Sequence, residues 1–280
     1  MNIWSDISPD QLINIAIILP LIGAALVILL GKYPNIRETA SLAIATLLFT
    51  VVLSITDNTF AQIPMTSHWI TIIPHLSIAF NVEPLGVLFA LVASFLWIVT
   101  TIYAIGYMRG HKEKNQTRFF CCFALAIATV MAICFSANLL TLFIFYELLT
   151  LSTYPLVTHA GNDAAKRGGR IYLGILLGTS IAFLLFAVLA TWVSAGTLTF
   201  TAGGIFNESQ SKGLIALLLV LFCYGVGKAA IMPFHRWLPA AMVAPTPVSA
   251  LLHAVAVVKA GVFSILKIII YIFGIDNLSQ

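Results

Sequence analysis

The sequence predicts an all-α, polytopic membrane protein of about eight transmembrane helices, one of them discontinuous. Two observations carry this. Of 280 residues, 60% are hydrophobic and only 9% are charged, with a mean hydropathy of +1.03, whereas a soluble domain is about a quarter charged. The apolar residues also come in long runs: Leu12–Gly31 is almost wholly apolar for 20 residues, where a barrel strand alternates apolar and polar over about 10. A water-soluble globular domain, a disordered chain and a nucleic-acid binder are excluded.

Helices are expected near 12–31, 39–56, 84–106, 119–136, 139–160, 170–194, 213–233 and 246–272. Each is roughly 18 to 27 residues, enough for about 30 Å of hydrocarbon. No Lys or Arg precedes Lys32, so the first run lacks the basic start of a secretory signal and is expected to stay in the membrane. Lys32–Glu38 reads as a tight link and Asn138 as a tight turn. Between helices two and three, Trp69–Ile73 and Leu76–Val82 partly alternate around Pro74, which predicts an external β-hairpin. The cysteines Cys121, Cys122, Cys134 and Cys223 fall in apolar runs without metal-ligand spacing and read as packing residues.

Basic residues fall unevenly along this topology. Lys32, Arg37, Arg109, Lys112, Lys114, Arg118, Lys166, Arg167, Arg170 and Arg236 belong to loops of one side, and Lys212 alone to the other. Lys/Arg bias sets orientation, so the first side is expected to be cytoplasmic and the N-terminus outside, in a bacterial-type inner membrane.

The remaining lysines, Lys228, Lys259 and Lys267, lie inside helices. Ionisable groups at membrane depth cost on the order of 3 kcal/mol on insertion scales and mark ion pathways. Glu147 sits near the middle of helix five. Lys228 lies among small residues ahead of Pro233, which is expected to break helix seven, since proline removes an amide donor. Broken membrane helices are tolerated where they line a cavity or are buried in protein. His253 and Lys259 are six positions apart, roughly 9 Å of rise and 120° of rotation, so both can border one polar channel. His235 is a candidate proton entrance beyond the break. Other polar groups carry plainer expectations. Glu83 reads as a helix-dipole partner, His159 and Asp163 as solvated loop, Lys267 as snorkelling to the outer interface, and Trp69 and Trp237 as interfacial aromatics. Gly174-x-x-x-Gly178 reads as a close helix contact. No G-x-G-x-x-G, P-loop, flavin or haem motif occurs, so no cofactor is expected and a redox enzyme in its own right is not favoured.

Several segments together resemble a known family. They are Ile102–Met108, Asn138–Phe143 followed by Glu147, Lys228 ahead of Pro233-Phe-His-Arg-Trp-Leu-Pro239, and Ala244–His253. They are similar to the proton-conducting antiporter-like membrane subunits of respiratory complex I, Mrp-type Na+/H+ antiporters and membrane-bound hydrogenases. The likeness runs from Glu83 onward and leans toward the Mrp branch. It implies that Glu147 modulates the proton affinity of Lys228 and that His253 and Lys259 continue the relay. It further implies proton or Na+/H+ translocation, with other membrane subunits as partners. It divides the chain into 1–82 (two helices and hairpin), 83–118 (helix three and basic loop) and 119–280 (a five-helix proton-conducting repeat). Such subunits carry about fourteen helices with two inverted repeats, so the second half-channel falls outside this chain. Ala240 and Met242 stand where acidic and histidine residues are usual, which weighs against a proton-entrance role for that loop. The alternative function is a non-conducting scaffold subunit of a membrane respiratory complex, its buried charges serving only helix pairing.

Overall fold

The structure, a computed structural model, describes residues 4, 7–73, 76–206 and 210–275. Four helices come first and build the frame: α1 (Pro9–Leu29), α2 (Pro34–Phe60), α3 (Pro84–Gly110) and α4 (Gln116–Cys134). Proline opens α1, α2 and α3 within the first turn, where its missing amide hydrogen costs no helical bond. Then come α5 (Leu139–Val157) and α6 (Asp163–Thr179), the latter continued through a π turn, Ser180–Leu185, into α7 (Phe186–Ala195). After α8 (Lys212–Gly225) the chain breaks, forms the short α9 (Trp237–Ala241), and re-enters as α10 (Thr246–Ala250) and α11 (Val257–Ile268). Those two are joined by the π turn Leu251–Val255.

Among the described residues seven helical runs are long and apolar enough to cross a membrane, including Asp163–Ala195 and Thr246–Phe273; α8 is apolar but only 14 residues long. This is an all-α polytopic membrane protein. α4 is the most enclosed of the seven runs, and every residue from Ala126 to Cys134 along it is buried. Charge still enters the frame. Arg37 and Glu38, read as loop residues, are in α2 and buried. Glu38 pairs with Arg37 at 3.1 Å and with Arg109 from the end of α3.

The hairpin forms as expected. β1 (Thr66–Ile73) pairs antiparallel with β2 (Leu76–Asn81); Pro74 lies outside the described residues. It is fastened to α1, where Asn14 Oδ1 accepts from Ser67 Oγ and Trp69 Nε1, both at 2.7 Å. It is also fastened to the α4–α5 turn: Asn81 N donates to Phe135 O at 2.7 Å, and Ala137 N to Ala79 O. Asn138 caps α5 by accepting from Thr141 N and donates Nδ2 to Ser77 O. One end of the bundle thus carries the hairpin, and the other carries the loops rich in Lys and Arg.

Candidate functional site

The site forms where α8 stops. α8 ends at Gly225, eight residues before Pro233, so the proline is not where the helix breaks. Two glycines set the break instead. A Cβ on Gly225 would collide with the Leu184 backbone, and one on Gly227 with Thr179 Oγ1; the chain passes flush against the end of α6 and its π turn. The backbone groups freed there find side chains. Lys228 N donates to Tyr146 Oη at 3.0 Å, and Trp237 Nε1 donates to Gly227 O at 2.9 Å. Gly261 of α11 touches the same point, since its Cβ would collide with Ala229 N. The break is therefore walled by α5, α6 and α11, with each exposed amide or carbonyl named above paired, as membrane depth demands.

Lys228 is fully buried there. Its Nζ donates to Tyr146 O at 2.7 Å and to Thr150 Oγ1 at 2.6 Å, and lies 3.2 Å from the centre of the Tyr146 ring. An ammonium has three donors, and these partners occupy them without any carboxylate. Glu147 is the next residue on α5 after Tyr146. Among the described residues its carboxylate forms no ion pair with Lys228, and neither carboxylate oxygen has a hydrogen bond of good geometry although both are buried. Lys228 acts on its charge through space, and the Ser180 hydroxyl, at the start of the π turn, also stabilises that charge at close range. A buried carboxylate without an ion-pair partner, next to a lysine held only by neutral acceptors, is costly for packing alone. Chemically it leaves both groups able to change protonation without breaking an ion pair.

The remaining candidates scatter. His253 sits half-buried in the π turn before α11, with Nε2 buried and unpartnered; such turns recur at functional sites. Lys259 points outward from α11 and is exposed. It does not share an enclosed channel with His253 within this chain: the π turn and the irregular Ala256 between them replace the regular α-helical rotation, and Lys259 is exposed while His253 Nε2 is buried. His235 is exposed on the turn Phe234–Arg236.

Four plainer readings need correction. Lys267 does not snorkel. It is fully buried, pairs with Glu83 at 3.2 Å, donates to Ser136 O at 2.7 Å, and lies 4.7 Å from the Phe200 ring centre. The hairpin end closes over it, so the lysine satisfies itself inward. His159 is not solvated: it is 4% exposed, with both ring nitrogens unpartnered. Burial first, and then the Arg118 guanidinium beside it, lower its proton affinity below that of an ordinary histidine. Trp237 is no interfacial aromatic but lies fully buried against Tyr172, recruited by the Gly227 carbonyl. A Cβ on Gly174 or Gly178 would meet nothing, so that stripe packs no helix of this chain.

Residues 136–279 match the family model described as NADH:quinone oxidoreductase/Mrp antiporter, TM, and residues 69–120 match the complex I chain 5 N-terminus. The first match spans more than half of the chain. The chain belongs to this complex I/Mrp antiporter-like family of membrane subunits. A relative is the Na(+)/H(+) antiporter subunit A1 of Staphylococcus haemolyticus, 30% identical over 270 residues, which are 92% of this chain and 32% of that protein. Another is the putative antiporter subunit mnhA2 of the same organism, 30% identical over 74% of this chain and 27% of that protein. The chain thus spans about a third or less of these curated relatives. Among solved structures, an Mrp complex from Dietzia sp. contains a chain that superposes with a TM-score of 0.76, at 24% identity over 91% of this chain and 27% of that one. The archaeal membrane-bound sulfane sulfur reductase contains one at 0.80, with 20% identity over 96% and 55%. Both show the same fold as this antiporter-like subunit. Within it, the Glu83–Lys267 pair is the feature that sequence reasoning missed. Both residues were visible as charges at helix ends, but only the folded chain joins positions that far apart.

Proposed function

We propose that this chain is a proton-handling part of a cation/H+ antiporter or complex I-like assembly, working with other membrane subunits. Lys228 is the central proton carrier, and Glu147 biases it electrostatically from the position that follows its Tyr146 partner and lies one turn before Thr150. His253, poised in its π turn with a free ring nitrogen, receives the proton next. Lys259, facing outward, hands charge to whatever protein covers α11. His235 serves the loop beyond the break. One relative is named a Na(+)/H(+) antiporter subunit and another a putative antiporter subunit, and H+ with or without Na+ is accordingly the cargo. The membrane is a bacterial-type cell membrane, with the Lys/Arg-rich loops inside.

One observation carries this reading: a fully buried lysine sits at a helix break on neutral acceptors, beside a buried carboxylate that nothing neutralises at contact distance. A scaffold role would not need either. The test is transport by the whole assembly in proteoliposomes. Lys228→Met should abolish proton-coupled transport and Glu147→Gln should slow it at least tenfold, the weight of about 1.4 kcal/mol of lost coupling, while both variants assemble normally. Full transport in Lys228→Met would rule the relay out in favour of the scaffold.

A further inference from the structure

On the Lys/Arg-rich end of the bundle, a cavity of about 640 Å³ opens between α6 and α9, lined by Arg170, Gly174, Ile175, Arg236, Pro239 and Ala240. A Cβ on Gly168 would collide with Ala240 O; this close seat of α9 on α6 is what brings Arg236 to the same cavity as Arg170. Both guanidiniums are exposed, and neither makes an ion pair or hydrogen bond among the described residues. They border a single apolar groove. Positions three or four apart on a helix share a face, so below Arg170 come Gly174, which lines the cavity, and beyond its lining the open Gly178 and the exposed Ile181. From Arg170 to Ile181 is about 16 Å along the axis, roughly the hydrocarbon depth of one leaflet.

We infer that this groove is a binding site for one anionic phospholipid, its phosphate held by Arg170 and Arg236 and an acyl chain lying along the Gly174–Gly178 channel. Guanidinium forks match phosphate oxygens, and basic pockets at membrane-helix ends favour anionic headgroups. Two unneutralised positive charges favour phosphatidylglycerol, which is net negative, over phosphatidylethanolamine, which carries its own ammonium. The open apolar face that continues from the charges along the helix distinguishes a lipid from free phosphate.

The assembly would be placed in phosphatidylethanolamine nanodiscs doped with phosphatidylglycerol, washed in detergent, and its retained phospholipid measured by mass spectrometry. The wild type should retain phosphatidylglycerol in preference by about tenfold, the weight of one charge-assisted contact, and millimolar inorganic phosphate should not displace it. Arg170→Gln/Arg236→Gln should lose that preference, whereas Arg170→Lys/Arg236→Lys, which keeps the charge, should retain part of it. Gly178→Leu, which leaves both arginines and fills the channel, should lower retention. Three results would overturn the site: no preference in the wild type, as when a protein segment covers the groove; an unchanged preference in the double glutamine variant; or displacement by inorganic phosphate with Gly178→Leu neutral.

Discussion

Lys228 and Lys267 are both completely enclosed, yet their surroundings assign them different work. Lys267 has a carboxylate at 3.2 Å and a carbonyl at 2.7 Å; its charge is matched in place, which ties the hairpin end of α3 to α11. Lys228 has only neutral acceptors and a ring face. Removing one partner of a buried ion pair leaves the other uncompensated, at about 3–5 kcal/mol, whereas removing both charges together is far milder. Lys267→Ala should accordingly lower the thermal midpoint in detergent sharply, and Glu83→Gln/Lys267→Met should recover most of the loss. Equal melting of the single and double variants would show that the pair does not hold the two helices. At this scale the sequence was partly legible. Glu147 and Lys228 stood out because a charge inside an apolar run has few explanations. Glu83 and Lys267 did not, because a charge near a helix end has an easy alternative in solvent.

The break in the seventh crossing is the element on which the site depends. Its existence was readable from Pro233, but its place was not. Helix termination is decided by which turn can come closest to its neighbours, and here Gly225 and Gly227 meet Leu184 and Thr179 before the proline is reached. Likewise the π turns at Ser180–Leu185 and Leu251–Val255 leave no periodicity signal, since one extra residue per turn is invisible in an all-apolar run. The break survives because side chains take over its backbone bonds. Trp237→Phe would remove the indole donor and leave the Gly227 carbonyl with Ala230 N as its remaining partner, costing about 0.5–1.5 kcal/mol, the net worth of one hydrogen bond. The expected result is a lower melting temperature and earlier proteolysis at the break; an unchanged melting curve would show that the indole bond is dispensable.

For the whole molecule, odd and even crossings bring the hairpin, the α4–α5 turn and the α7–α8 loop to one end and the basic loops to the other. With the basic end inside, Lys112→Cys should react with a membrane-impermeant thiol reagent only after permeabilisation, while Gln62→Cys, ahead of the hairpin, should react in intact cells. The opposite pattern would invert the orientation. Lys259 also belongs to this scale. A charge exposed on a membrane-crossing face is costly against lipid, so its position makes sense only beside further protein or water, and the chain does span a third or less of its curated relatives.

The sequence alone determined the class, the long apolar runs, the hairpin, and the presence of charge at depth. These follow from local quantities: hydropathy over a span's length and turn residues. Tertiary structure alone decided which charges meet. It left Glu147 and Lys228 close but unpaired, joined Glu83 to Lys267, turned Lys259 outward, and opened the Gly174–Gly178 face instead of closing it. Those outcomes depend on the rotation of each helix and on where glycine admits close contact, and in a uniformly apolar helix composition does not encode that rotation.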